Sequence, residues 1–228
     1  NKNYKLLKIP KKMKKPLIAA SALIIPILVA TAQDTDKSKW KDVGIEFPKP
    51  MFVGTPVAAK LPNLDKSKKP RLVLKAPAGV ENLALDMEVT SSDPEPIIGD
   101  LEMICDGDKD GADGSYTELG PGVQWVQVDL EEEATIYGIV VWHFHKNARA
   151  YIDVVAQISN DPEFKTGVTT VFNNDHDASL KGDGPGAGKD LAWVETNHGR
   201  ILDVDAKKGQ YVRLLSNGNT ANEMNHYV

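Results

Sequence analysis

The sequence predicts an antiparallel all-β sandwich or barrel, and three observations carry that prediction. Beyond residue 82 the chain is a series of short β-prone runs broken by Gly, Asp and Asn. Runs of this kind without intervening helices mark sandwiches and barrels. No apolar repeat at helical spacing lasts three turns, so the pattern contains no amphipathic helix. One run, 136–144, is apolar on both faces, as a strand at the centre of a sheet must be.

Taken in order, the chain opens on a targeting segment. Residues 1–15 carry Lys2, Lys5, Lys8, Lys11, Lys12, Lys14 and Lys15, followed by an apolar run over 17–29 and the triplet Ala30-Thr31-Ala32. This is the three-part layout of a secretory signal peptide over residues 1–32, with cleavage expected after Ala32. The apolar run would be about 20 Å long as a helix, short of the ~30 Å of a bilayer core, and Pro26 interrupts it. The mature chain is therefore expected to be secreted, extracellular or periplasmic, with no direct membrane insertion. No Met opens the sequence, and it stops at Val228 inside an apolar-looking stretch; both lead to the expectation of a fragment with a truncated last strand.

Residues 33–81 read as a proline-rich extended leader. Pro48, Pro50, Pro56, Pro62, Pro70 and Pro77 block helix and central strand alike, and Lys66-Ser67-Lys68-Lys69 adds a basic cluster. The folded domain is expected over 82–228. In the run 123–130, Val126, Val128 and Leu130 alternate with Trp125, Gln127 and Asp129. The run 152–158 repeats that alternation, 168–172 and 192–196 are shorter β-prone runs, and 210–215 closes the series. Trp125 and Trp142 are expected in the core.

Composition narrows the function. A chain of 228 residues, 41% hydrophobic and 26% charged, can bury one good-sized core. Its single Cys105 excludes an intrachain disulfide and a four-Cys zinc ribbon, and is read as a buried free thiol. Setting aside the seven Lys of residues 1–32 leaves 20 basic and 32 acidic groups, a net charge of −12. So acidic a domain is not a nucleic-acid binder. No nucleophile motif, Gly-rich phosphate loop or paired acid and base at recognisable spacing is visible, so the protein is read as not an enzyme.

Four blocks resemble the discoidin, or coagulation-factor (V/VIII) type C, family in the family's order. They are Asn82-Leu83-Ala84-Leu85 with Val89-Thr90-Ser91-Ser92, Asp106-Gly107-Asp108-Lys109-Asp110, Gln124-Trp125-Val126-Gln127-Val128-Asp129-Leu130, and Tyr211-Val212-Arg213-Leu214. The resemblance implies a galactose-binding-like antiparallel jelly-roll β-sandwich of about eight strands that binds glycans, lipids or proteins, often attached to secreted bacterial enzymes. It also implies a structural Ca²⁺ held by the side chains of Asp106 and Asp108 and by carbonyls of Met103 and Gly111. The family often adds a carboxylate from the last strand, which here would fall past Val228. The loop from Asp106 is no EF-hand, because the twelfth position is Thr117 and β-prone segments flank it. A solvated acidic turn without metal is the alternative.

Two further constellations point to a ligand. His143 and His145 sit two apart at the end of the central run, with Arg149 and Tyr151 following, and share a face of an extended strand. Ligand contact or hydrogen bonding at the sandwich rim is expected of them, and a metal pair is the alternative. Asn173-Asn174-Asp175-His176-Asp177 opens an 18-residue loop to Asp190, longer than the usual ~12–15, and Asn217, Asn219 and Asn222 with Asn225 and His226 form a second amide-rich patch. Amides, carboxylates and imidazoles bond sugar hydroxyls, and an exposed Trp193 or Tyr151 would stack on a sugar face. The alternative is that turns alone call for Asn, Asp and Gly. The expected function is a secreted carbohydrate-binding module for glycan or polysaccharide. A protein-contacting adhesion or structural domain of the cell envelope is the first alternative, and a metal-dependent hydrolase the second.

Overall fold

A computed structural model describes residues 36–51, 60–67 and 71–228, so the signal-peptide segment 1–32 lies outside the described residues. Within them the elements are β1 (Lys41–Asp42), β2 (Lys75–Ala76), β3 (Val89–Ser91), β4 (Thr117–Leu119), β5 (Gln124–Val141), β6 (Val155–Ser159), β7 (Thr169–Asn173), β8 (Arg200–Ser216) and β9 (Asn225–Tyr227). Two 3-10 turns, Lys37–Lys39 and Leu101–Ile104, are the helical elements among the described residues. The all-β antiparallel class expected from the pattern is what the chain adopts.

The main sheet has five strands in the order β3-β5-β8-β6-β7, every neighbouring pair antiparallel. A second sheet, β4-β9, lies over it, since Leu119 and Tyr227 pack into one cluster with Val89, Val126 and Val128. The alternation in β5 explains the layering: Val126 and Val128 turn inward, and Gln127 turns outward opposite Arg213. Further along the inner face, Val141, Tyr151, Val154, Ala156, Phe172, Trp193 and Leu202 form a second cluster. On the outer face Leu180, carried on the loop after β7, covers Val155 and Leu215.

Several expected boundaries differ. The runs 123–130 and 136–144 are one strand, β5, with register breaks between Asp129 and Ala134 and between Ile136 and Gly138. The polar triplet Glu131-Glu132-Glu133 looks like a strand end. It is carried as an exposed bulge instead, with Glu131 at φ 67°. Residues 192–196 form no strand, because other segments take up their backbone groups: Ala192 N–H donates to Asn63 O, and Glu195 N–H to Arg149 O. Half-buried Trp125 and Trp142, expected in the core, exchange places with Trp193, which is buried.

The described parts of the proline-rich segment lie on this body. β1 pairs with β2, Trp40 meets Tyr137 edge-on at 5.3 Å, and Asn197 Nδ2 donates to Pro48 O at 2.7 Å. Leu74 and Ala76 are buried. Gly138 permits the approach, since a Cβ there would stand 2.4 Å from Leu74 Cδ1. Residues 36–228 form one compact unit.

Candidate ligand site

Past the end of β5 the chain builds a buried polar network rather than an open rim. His143 and Glu195 are wholly buried, with Nδ1 and Oε1 2.6 Å apart. The His143 ring stacks on Tyr151 at 4.1 Å, and the Tyr151 hydroxyl lies 3.0 Å from His226 Nδ1. His226 Nε2 in turn lies 2.8 Å from Glu118 Oε2. Burial, then Arg149 and His143, push His226 down to about 4. It is thus neutral at pH 7, and the partners assign the proton to Nε2, which donates to the Glu118 carboxylate, while Nδ1 accepts from Tyr151. Burial raises Glu118 despite Arg149, and holds the Tyr151 hydroxyl well above its ordinary value. His145 Nδ1 is 3.1 Å from His143 O, and Arg149 lies 4.6 Å above the Phe144 ring.

That burial corrects the expected site. Of the thirteen residues expected to touch a ligand, eleven are buried: His143, His145, Arg149, Tyr151, Asn173, Asn174, Asp175, Trp193, Asn219, Asn225 and His226. Tyr151 at 2% and Trp193 at 8% exposure offer no open face for a sugar. The amides serve the backbone. Asn225 donates to Gly120 O and Gly122 O and accepts from Ser216 Oγ and the Gly218 N–H. Asn173 donates to Gly186 O, Asn174 accepts from the Val154 N–H, and Asp175 accepts from the N–H groups of Ser179 and Leu180. Turn chemistry accounts for these residues. His176 and Asn222 remain exposed.

Asn222 lines a cleft of about 280 Å³ with Gly122, Ile152, Asn217, Asn219 and Glu223. The hairpin from the end of β8 to β9 shapes it, through Asn219 Nδ2 donating to Asn222 Oδ1 at 2.6 Å and to Met224 O at 2.8 Å. Asn217, Asn219 and Asn222 belong to the amide-rich patch legible in the sequence, whereas Ile152, Gly122 and Glu223 are absent from the expected set and Ile152 and Gly122 join only by folding. Asn217 Nδ2 also donates to Asp153 Oδ2 at 3.0 Å, tying the cleft to a cluster in which donor atoms of Asp153, His176 and Asp177 lie within 4.8 Å of one another.

The acidic loop stands elsewhere. Asp106 Oδ1 accepts from the Asp108 N–H at 2.8 Å, and Asp108 Oδ1 from the Asp110 N–H at 2.9 Å. That Asp110 N–H is the main reason the Asp108 carboxyl lies below its ordinary value. Asp106 and Asp108 offer oxygens, the donors a hard cation takes, with one oxygen of each carboxylate already held by backbone, while Met103 lies in the 3-10 turn Leu101–Ile104 before the loop. Gly111 is left-handed at φ 57°, and a Cβ there would stand 2.7 Å from the His145 ring. Neighbouring Cys105 is pushed up to about 11, first by burial and then by Asp106 and Asp86, so its thiol is unreactive.

No family model matches the sequence, and no curated protein does. Solved structures with partial similarity include the carbohydrate-binding module (CBM32) of AlyQ in complex with 4,5-unsaturated mannuronic acid, at 16% identity and TM-score 0.45 over 62% of this chain and 91% of that one. Chitosan-binding module 1 of a Paenibacillus sp. chitosanase/glucanase has 20% identity and TM-score 0.43, covering 64% and 98%. A Streptococcus pneumoniae fucose-binding module has 15% identity and TM-score 0.41, covering 65% and 98%. With every one of these scores below 0.5, the likeness assigns this chain no ligand. Among the described residues, no helix is long and apolar enough to cross a membrane.

Proposed function

We propose that the protein is an exported, non-catalytic carbohydrate-binding module that takes a sugar in the cleft beside Asn217, Asn219, Asn222 and Glu223. The observation that carries this reading is the lining itself. The exposed Asn222 amide and Glu223 carboxylate present donors and acceptors together, as vicinal hydroxyls require, Ile152 supplies an apolar wall, and Asn219, bonded within the hairpin, shapes the cleft. A volume of about 280 Å³ suits one sugar ring with its neighbours in solvent. Glu223 is the one titratable residue of the lining, whereas glycoside hydrolysis uses a pair of carboxyls. The four discoidin-like sequence blocks support the same class.

The test is a melt against plant and bacterial polysaccharides. A ligand at 100 times its Kd stabilises by about 2.7 kcal/mol, or about 5–10 °C for a domain of this size. We expect such a shift with at least one polysaccharide, and its loss in Glu223→Ala and Asn222→Ala; a shift that survives both substitutions removes the cleft from the reading.

A structural Ca²⁺ on the Asp106 loop belongs to the same proposal. Adding calcium to chelated protein is expected to raise the melting temperature, and Asp106→Ala to abolish the rise. An unchanged melt in the wild type rejects the ion.

A further inference from the structure

We infer that Asp153, His176 and Asp177 form a binding site for a zinc-type divalent cation, separate from the Asp106 loop. One imidazole and two carboxylates bring donor atoms within 4.8 Å of one another, close enough to share one ion. They come from separated parts of the chain: Asp153 from the turn before β6, His176 and Asp177 from the loop after β7.

The second observation is buried charge without a counter-charge. Asp153 is 5% exposed and Asp175, two residues beyond β7, is 0% exposed, yet no Lys, Arg or His pairs with either carboxylate among the described residues. The Ser179 hydroxyl, with one proton, stands 2.6 Å from Asp153 Oδ2 and 3.3 Å from Asp175 Oδ1. Asp153 Oδ2 also accepts from Asn217 Nδ2 at 3.0 Å. Two carboxylates buried side by side, with no cationic side chain among the described residues paired to either, call for a cation. Ser179 and Asn217 orient the Asp153 ligand in the way outer-shell partners orient metal ligands.

The donor set selects the ion. Calcium and magnesium prefer oxygen alone, whereas an imidazole with carboxylates suits zinc and its first-row neighbours. Three protein donors leave a tetrahedral ion one position for water. Bound there, the ion ties the loop after β7 to the turn before β6.

The test uses zinc alone, without sugar or calcium, so its failure leaves the carbohydrate reading untouched. Untagged, chelator-stripped protein is dialysed against zinc chloride and its metal content measured. One equivalent is expected, with a rise in melting temperature. His176→Ala changes an exposed side chain, and its melt without metal reports folding independently. It should weaken zinc binding at least tenfold, as should Asp177→Asn, while His198→Ala and Asp106→Ala keep it. Cobalt substitution gives a second readout, visible absorption in the wild type that disappears in His176→Ala. Failure to retain zinc, or retention undiminished in both His176→Ala and Asp177→Asn, overturns the site. Equal loss in His198→Ala overturns it as well.

Discussion

His226, on β9, sits between Tyr151 and Glu118, and burial decides its charge. Its ordinary value is 6.5, and in the fold it lies at about 4, so between those values the unfolded chain takes up a proton that the folded chain refuses. Stability owed to neutral His226 is thus complete above pH 6.5 and lost as pH falls to about 4, by at most ~3 kcal/mol. Glu118, raised by burial, acts with the opposite sign and trims the loss. The urea midpoint is expected to fall across this window, and less steeply in His226→Asn; equal slopes would assign the pH dependence to other groups. His143 has a related constraint. With Glu195 wholly buried 2.6 Å away, neither partner can be removed without leaving the other without its match. A His-x-His pair on an extended run is legible in sequence. The burial of His143 is not, because Trp193 and Tyr227, which join Tyr151 around its ring, arrive from distant segments.

At the scale of elements, the loop after β7 shows how a long Gly-rich segment becomes ordered. Its ends are held by Asp190 N–H donating to Asn173 O and by Gly188 N–H donating to Asp175 O. Its middle is pinned by Leu180, 1% exposed against Val155 and Leu215. Leu180→Ala is expected to lower unfolding stability by about 2–5 kcal/mol and to open the loop to protease, as limited proteolysis followed by mass spectrometry will show. A loss under 0.5 kcal/mol would mean that the hydrogen bonds alone hold the loop. Composition signals that loop's length and turn residues. It does not signal that the same Asn and Asp side chains are taken up inside the loop and so withdrawn from any ligand, since a turn-forming Asn and a sugar-binding Asn look alike until their partners are known.

For the whole molecule, the proline-rich segment is part of the folded unit. Leu74 and Ala76 are buried, Asn63 Nδ2 donates to Asn174 O at 2.6 Å, and Asp65 N–H donates to Ala192 O. A chain beginning at residue 82 exposes Tyr137 and the Gly138 edge and loses those bonds. It is expected to melt at least 5 °C below the chain beginning at residue 36, and an equal melt would show the segment to be a passive covering. The acidic excess of residues 33–228 is carried in part on bulges and turns such as Glu131-Glu132-Glu133 and Asp106-Gly107-Asp108, solvated positions of the fold.

The sequence by itself determined the all-β class, the inward set Val126 and Val128, and the Asp106 turn, because period-two alternation and Asx-turn chemistry are local and act within a few residues. Only the tertiary structure decided that β5 and β8 run long through their bulges, that Trp193 and Tyr151 are inside while Trp125 and Trp142 are half outside, and that Asp153 meets His176 and Asp177. Each of those outcomes depends on which distant segment covers a residue. Antiparallel pairing across a sheet whose order departs from the chain order sets that covering, and no local pattern encodes it.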